Sequence, residues 1–123
     1  MKNMKKLFKI VLVSSLSLLC FSCYYDTVIE EEIPVIDDVS FSADIQPIFT
    51  KCTSCHNGNT SPDLREGNEY NSLVPNYVNA GNATTSKLYN YLPGNGHHDV
   101  GFTLSATEIA KIKAWIDNGA LNN

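Results

Sequence analysis

The chain has 123 residues, 43% of them hydrophobic, and carries 9 basic and 13 acidic residues for a formal net charge of −4. This acidic balance argues against nucleic acid as a partner, because nucleic-acid binding needs a basic face. Four of the 9 basic residues lie within the first nine positions and all 13 acidic residues lie beyond them, so the rest of the chain carries a net charge near −8.

The start of the chain has the pattern of a secretory signal peptide. Four lysines precede an apolar run over residues 10–21, the cationic and apolar order of such signals. The run is shorter than the roughly 20 residues of a membrane-spanning helix, so an uncleaved anchor is the weaker alternative. Cys23 follows the small Ser22 and resembles the lipid-carrying cysteine of bacterial lipoproteins. We therefore predict removal of residues 1–22, a lipid anchor at Cys23 that holds the protein to a membrane, and export as a periplasmic or outer-membrane lipoprotein.

The next segment is acidic and shows no helical period. It contains three consecutive glutamates and Pro34, a composition typical of a flexible tether. We therefore assign residues 23–40 as a tether and residues 41–123 as the folded domain.

The first predicted helix lies in the stretch FSADIQPIFTKC, which begins at Phe41. Its apolar residues share one helical face: Ile45, Ile48 and Phe49. Ser42 or Asp44 is expected to cap it, since both side chains can accept hydrogen bonds from free N–H groups of the first turn. With Asp44 as the cap, Pro47 falls in that first turn, where its missing N–H costs little.

The middle of the chain is rich in Asn, Gly, Ser and Pro and is predicted to be mostly loop. One short helix is expected at about residues 69–74 and another at about residues 85–92. Pro93 and Gly94 should stop the second helix, and the loop GNGHHDVGFT follows it.

The last predicted helix has the clearest signals. Ser105 and Glu108 form a capping-box pattern, in which each side chain satisfies the backbone N–H of the other residue. Three isoleucines follow at helical spacing: Ile109, Ile112 and Ile116. Gly119 is suited to end the helix. No alternating strand pattern is present, so the fold class is all-α, with about four short helices, long loops and an apolar core thin enough to need a staple.

The stretch CTSCHNG contains the only motif that carries chemistry. Cys52 and Cys55 are spaced to form thioethers with the two vinyl groups of a haem, and His56 is placed to bind the iron. Such attachment occurs outside the cytoplasm, which agrees with the predicted export signal. The motif therefore predicts one covalently attached haem c.

Two other readings of the motif remain. A zinc site would use Cys52 and Cys55 with His97 and His98, but adjacent histidines match the usual ligand spacing poorly. A redox-active disulfide would call for a βαβ context, which the sequence lacks.

The order of helix, CTSCH, loop-rich middle and C-terminal helix, with the stretches DIQPIF and IKAWIDNGA, resembles a class I cytochrome c domain. The resemblance is to the small planctomycete-type domains of exported bacterial proteins and covers residues 41–121. It implies a cytochrome c-like fold in which the first and last helices pack beside the haem. It also implies that Phe49 packs near Trp115.

Members of that family commonly supply a methionine as the sixth iron ligand, before the last helix. The only methionines here are Met1 and Met4, which lie in the predicted signal peptide. His98 stands where the ligand is expected, and His97 competes with it. We therefore predict bis-histidine ligation and a low-spin haem with a lower potential than a His/Met relative, because methionine raises the potential. An open sixth site, or Lys or Tyr ligation, is the alternative.

The predicted function is transfer of single electrons between exported or membrane-associated redox partner proteins, with no catalytic constellation in the chain. A haem-based sensor of small ligands is the first alternative, since glycines around His97 and His98 can make that loop mobile. The second is an interaction lipoprotein with a zinc or disulfide clip.

Overall fold

The computed structural model of the protein describes residues 3–6 and 36–123. Residues 3–6 form an exposed helical turn. The rest of the predicted signal peptide, Cys23 and most of the predicted tether lie outside the described residues. Of the helices in the described part, none combines the length and apolar character needed to cross a membrane.

Residues 36–123 are built from helices and connecting loops. They contain four α-helices: α1 (Gln46–Phe49), α2 (Glu69–Leu73), α3 (Lys87–Asn90) and α4 (Ala106–Asp117). A π-helical turn precedes α1 and two 3₁₀ turns follow α1 and precede α3: Phe41–Ile45, Thr50–Cys52 and Ala83–Thr85. In this part of the chain the only β-type pairings are isolated bridges from Leu92 to Asn95 and Gly96. The all-α class and the approximate positions of the predicted helices are confirmed.

The first helical segment covers the predicted stretch but is less regular than one α-helix. Three elements join into one N-terminal helical segment, residues 41–52. The N–H of Gln46 donates to the carbonyl of Phe41, which is the π-type spacing. Pro47 follows directly, in the first turn of α1. A proline has no N–H to continue an α-helical ladder, and π-type turns occur mostly as single turns within helices.

The cap of this segment is Ser40, so the prediction of Ser42 or Asp44 as the cap is wrong. The Ser40 hydroxyl accepts from the N–H of Ala43 at 3.3 Å. In return, the Asp44 carboxylate accepts from the N–H of Ser40 at 3.1 Å. Because the π-type turn begins at Phe41, the capping position moves ahead of both predicted residues, and Asp44 becomes the reciprocal partner inside the turn.

Helix α4 begins as predicted. The Ser105 hydroxyl accepts from the N–H of Glu108 at 3.2 Å, and the Glu108 carboxylate accepts from the N–H of Ser105 at 3.0 Å. Both halves of the capping box are therefore present. Of the predicted apolar face, Ile112 and Ile116 are fully buried.

Helix α4 ends at Asp117, and Gly119, with a φ of 102°, is the terminator that the sequence predicts. The N–H of Gly119 donates to the carbonyl of Ile116 at 3.0 Å, and the N–H of Ala120 donates to the carbonyl of Trp115 at 2.8 Å. These two bonds form a Schellman motif, which satisfies carbonyls that have no partner within the helix.

Two ion pairs join the N-terminal helical segment to α4, and they follow the two elements in opposite chain directions. Lys51 pairs with Glu108 at the start of α4 at 2.5 Å, and Asp44 pairs with Lys111 one turn further along at 2.8 Å. Partly exposed pairs of this kind contribute little to stability, about 0–1 kcal/mol each. They nevertheless show that the end of the N-terminal helical segment lies near the start of α4, and that Asp44 lies near its middle.

This alignment explains the aromatic packing. Trp115 is 1% exposed, and its ring contacts Phe41 at a centroid distance of 5.2 Å and Tyr70 at 6.4 Å. Phe49 is buried in the same core cluster, but it lies two helical turns along from Phe41, toward the start of α4. The aromatic neighbour of Trp115 in the N-terminal helical segment is therefore Phe41.

The core extends ahead of the predicted domain start. Val39 is buried, and Ile36 packs against the core cluster. The Asn118 side chain donates to the carbonyl of Asp37 at 3.2 Å. The packed part of the chain therefore includes the last residues that composition assigned to the tether.

Candidate functional site

The Cys-x-x-Cys-His motif occupies the end of the N-terminal helical segment. The 3₁₀ turn of this segment ends at Cys52. The N–H groups of Cys55 and His56 both donate to the Cys52 carbonyl, at 3.2 and 2.9 Å. The three motif residues therefore share one tight turn, with Cys52 half-buried, Cys55 exposed, and neither cysteine in a disulfide.

Burial raises the pKa of the Cys52 thiol, and the nearby Lys51 cation opposes that effect. Redox-active cysteines of Cys-x-x-Cys motifs depend on a depressed thiol pKa. The environment of Cys52 acts in the opposite direction, so the local electrostatics give no support to a redox-active disulfide.

The imidazole of His56 is held in one orientation. Its Nδ1 lies 3.0 Å from the carbonyl oxygen of Pro62. Because a carbonyl can only accept, Nδ1 carries a proton, and in the neutral imidazole Nε2 then has the lone pair. The backbone carbonyl of His56 also accepts from the N–H of Leu64 at 2.9 Å. Metal-binding histidines commonly donate Nδ1–H to a backbone carbonyl and bind the metal through Nε2.

Asp63 and Arg65 fix the backbone beside Pro62, whose carbonyl accepts the hydrogen bond from His56. The Asp63 N–H donates to the Ser72 hydroxyl at 2.7 Å. The Asp63 carboxylate accepts from Arg65 Nε at 2.9 Å and from Nη2 at 2.7 Å, and from the Asn68 amide at 3.1 Å. The Arg65 guanidinium lowers the pKa of Asp63 to about 2. We call residues 62–65 the Pro62 turn.

Stability is expected to depend on pH through Asp63. A carboxyl whose folded-state pKa is depressed stabilises the fold above its ordinary pKa, and that contribution is lost as pH falls toward the folded-state value. The window for Asp63 therefore runs from its ordinary value of 3.8 down to about 2. Asp63→Asn should reduce the slope of the unfolding free energy against pH within this window, measured by urea unfolding at several pH values.

The control for that experiment is Asp38→Asn. Asp38 is exposed and has no ion pair within residues 36–123, so its replacement removes one negative charge without touching the Pro62 turn. An equal change of slope in both variants would show that net charge, and not the contact of Asp63 with Arg65, controls the acid sensitivity.

The adjacent histidines His97 and His98 lie in residues 92–104, which we call the histidine turn. The N–H groups of Asn95 and His97 both donate to the Leu92 carbonyl, at 2.7 and 3.3 Å. The Asn95 side chain donates to the carbonyl of Tyr89 at 2.7 Å, and the N–H of Leu104 donates to the carbonyl of Pro93 at 3.0 Å. The glycine-rich stretch is thus fastened to its own ends and to α3.

The histidine turn brings His97 toward His56. The two ring centroids are 6.4 Å apart, with an angle of 70° between the ring planes. His97 is half-buried and His98 is exposed. The His98 ring stacks on His97 at 4.3 Å and 32°. His97 is therefore the member of the pair that faces the Cys-x-x-Cys-His motif.

The four ligands of the zinc alternative do not converge in the described part of the chain. Among residues 3–6 and 36–123, no three side chains of His, Cys, Asp or Glu form a group that could hold a metal ion.

Sequence reasoning missed three partners of the site. The first is the Pro62 carbonyl, which accepts the hydrogen bond from His56. The second is the ion pair of Asp63 and Arg65 in the same turn. The third is the His98 carbonyl, which lies 2.9 Å from His97 Nδ1. Only the spacing of Asp63 and Arg65 leaves a trace in the sequence, since oppositely charged residues two apart can pair across a tight turn. Carbonyl partners leave no trace, because every residue has a carbonyl.

Comparison with protein-family models, curated proteins and solved structures gives no significant match. The function of this chain therefore has to be inferred from its own residues.

Proposed function

We propose that the protein is a single-haem c-type cytochrome that carries electrons between exported or membrane-associated partner proteins. The observation that supports this most strongly is the state of the Cys-x-x-Cys-His motif. Its two thiols are unpaired, and the His56 ring donates Nδ1–H to the Pro62 carbonyl, which leaves Nε2 free to bind a metal. These donors fit a haem attached by two thioethers.

The roles of the residues follow from this proposal. Cys52 and Cys55 would hold the haem covalently, and His56 and a histidine of the 97–98 pair would bind its iron. When bound, the haem supplies the one-electron chemistry, whereas the polypeptide supplies binding, orientation and electronic tuning. A cytochrome c-like fold is the proposed architecture, with the N-terminal helical segment crossing α4 near the motif.

Carrier function is favoured over ligand sensing by the hydrogen bonds of the histidine turn. A sensor must release its sixth ligand to admit a gas molecule, and release here would strain a backbone that is tied at Leu92, Pro93 and Asn95. An electron carrier gains from the same fixity, because a ligand set that does not rearrange lowers the cost of changing oxidation state.

The test is covalent haem attachment. The full chain is expressed in a host with haem c maturation machinery, and haem is measured by the pyridine haemochrome spectrum and by haem staining of the denatured polypeptide. We expect one covalent haem per chain. The double variant Cys52→Ala/Cys55→Ala should lose it, whereas Ser54→Ala, an exposed change between the two cysteines, should keep it. A haem-free wild-type chain that retains stoichiometric zinc would contradict the proposal.

A further inference from the structure

We propose that His97, and not His98, is the sixth iron ligand, held in place by the backbone of the histidine turn. This inference rests on the proposed function, because it assumes that a haem is attached at Cys52 and Cys55. It reverses the preference drawn from the sequence, where His98 matched the expected ligand position better.

The first support is the spacing of the rings. An imidazole nitrogen binds a first-row metal such as zinc at about 2.0–2.1 Å, and the ring centroid lies about 1.1 Å behind that nitrogen, so two imidazoles on opposite sides of one metal have centroids about 6.3 Å apart. The His56 and His97 centroids are 6.4 Å apart. The 70° angle between the planes is compatible with this arrangement, because each ring can rotate about its own bond to the metal.

The second support is the proton on His97. Its Nδ1 lies 2.9 Å from the carbonyl oxygen of His98. Since a carbonyl only accepts, Nδ1 carries a proton, and in the neutral imidazole Nε2 is then the lone-pair donor. His56 has the same arrangement through Pro62. Both rings thus present the nitrogen that metal-binding histidines commonly use, with the other nitrogen fixed by a backbone carbonyl.

The third support is exposure. His97 is half-buried, whereas His98 is exposed and lies against the His97 ring. His98 therefore contributes through its carbonyl, which any residue at that position supplies, and through a ring stack that is not needed for ligation. The side chain of His98 should be dispensable where that of His97 is not.

The fourth support is the fixed backbone at the ligand. The His97 N–H donates to the Leu92 carbonyl at 3.3 Å, and two residues earlier Asn95 is bonded through both its backbone and its side chain. Because these hydrogen bonds fix the backbone of His97 in the absence of haem, little conformational entropy remains to be lost when its side chain binds the iron. We expect the ligand to stay bound in both oxidation states and to exclude carbon monoxide.

The experiment compares His97→Ala with His98→Ala in the full, haem-loaded chain. Spin state is read from the ferric absorption and electron paramagnetic resonance spectra, and carbon monoxide is added to the reduced protein. Wild type and His98→Ala should be low-spin and should not bind carbon monoxide. His97→Ala should become high-spin, should bind carbon monoxide, and should return to low-spin when imidazole is added. The opposite pattern, or low-spin spectra in both variants without imidazole, overturns the assignment.

A gain-of-signal pair covers the case in which His97→Ala does not accumulate. Methionine at the ligand position should give a sulfur–iron charge-transfer band, so His97→Met should show this band and His98→Met should not. A band only in His98→Met, or in neither variant, contradicts the inference. The pyridine haemochrome is measured on every sample first. A wild-type chain without covalent haem counts against the proposed function. If covalent haem is present but His98→Ala, and not His97→Ala, loses the sixth ligand, the result counts only against the choice of His97.

Discussion

Replacing Trp115 by alanine is expected to destabilise the folded domain by about 3–5 kcal/mol, the usual cost of removing a large buried aromatic side chain. Trp115 is 1% exposed and packs against Phe41 and Tyr70. Its indole N–H also donates to the carbonyl of Leu121 at 2.9 Å. The variant therefore loses a packed ring and leaves that carbonyl without its donor, at the point where the N-terminal helical segment meets the end of α4.

The measurement is urea unfolding of the haem-loaded chain, followed by far-ultraviolet circular dichroism. Fluorescence is unsuitable because Trp115 is the only tryptophan. The matched control is Tyr91→Ala, which removes an aromatic ring that is 67% exposed and should change the unfolding free energy by no more than about 0.5 kcal/mol. If the two variants lose similar stability, Trp115 is not the central residue of the core.

The termini of α4 could be predicted from the sequence because their signals are local. A capping box needs only Ser105 and Glu108 three positions apart, and a left-handed terminator needs only Gly119 after the last turn. Neither feature depends on distant residues, so a sequence pattern is enough to locate it.

The start of the first helix could not be predicted so well. Ser42 and Asp44 are both good capping residues, and choosing Ser40 requires knowing that a π-type turn shifts the register ahead of Pro47. The same shift brings Phe41 into the core. The aromatic neighbour of Trp115 depends on how the N-terminal helical segment packs on α4, and long-range contacts set this packing, which local patterns do not encode.

The candidate site divides along the same line. Cys52, Cys55 and His56 are named by a three-residue motif, whereas the choice between His97 and His98 depends on the path of the histidine turn. The distance from His56, the exposure of the side chain and the hydrogen bond at Nδ1 distinguish them, and all three exist only in three dimensions.

Both candidate iron ligands are oriented by backbone carbonyls, of Pro62 for His56 and of His98 for His97. A carbonyl partner cannot be removed by exchanging a side chain. Mutational sensitivity at these ligands should therefore appear at residues that shape the two turns. In the Pro62 turn that residue is Asp63, and in the histidine turn it is Gly96.

Gly96→Ala is expected to have the largest effect of any single methyl group added to the histidine turn. Gly96 has a φ of 96°, and an added Cβ would lie 2.2 Å from the carbonyl oxygen of Asn90. Asn90 cannot move away easily, because its side chain donates to the carbonyls of Thr84 and Ser86. The positive φ costs about 1–2 kcal/mol for a residue with a Cβ, and relieving the overlap costs about 1–3 kcal/mol more.

Gly101→Ala is the matched control, since it separates these two costs. Gly101 lies in the same turn with a φ of 81°, but an added Cβ there has no atom within 4 Å. Gly101→Ala should therefore lower the free energy of unfolding only by the cost of the positive φ, about 1–2 kcal/mol. Stability is measured by urea unfolding of the haem-loaded chains, and ligation by the ferric spin state. Because the overlap pushes the backbone at the residue next to His97, Gly96→Ala should also gain a high-spin fraction that Gly101→Ala does not show. Equal stability losses with unchanged spectra in both variants would mean that contact with Asn90 does not hold His97 in position.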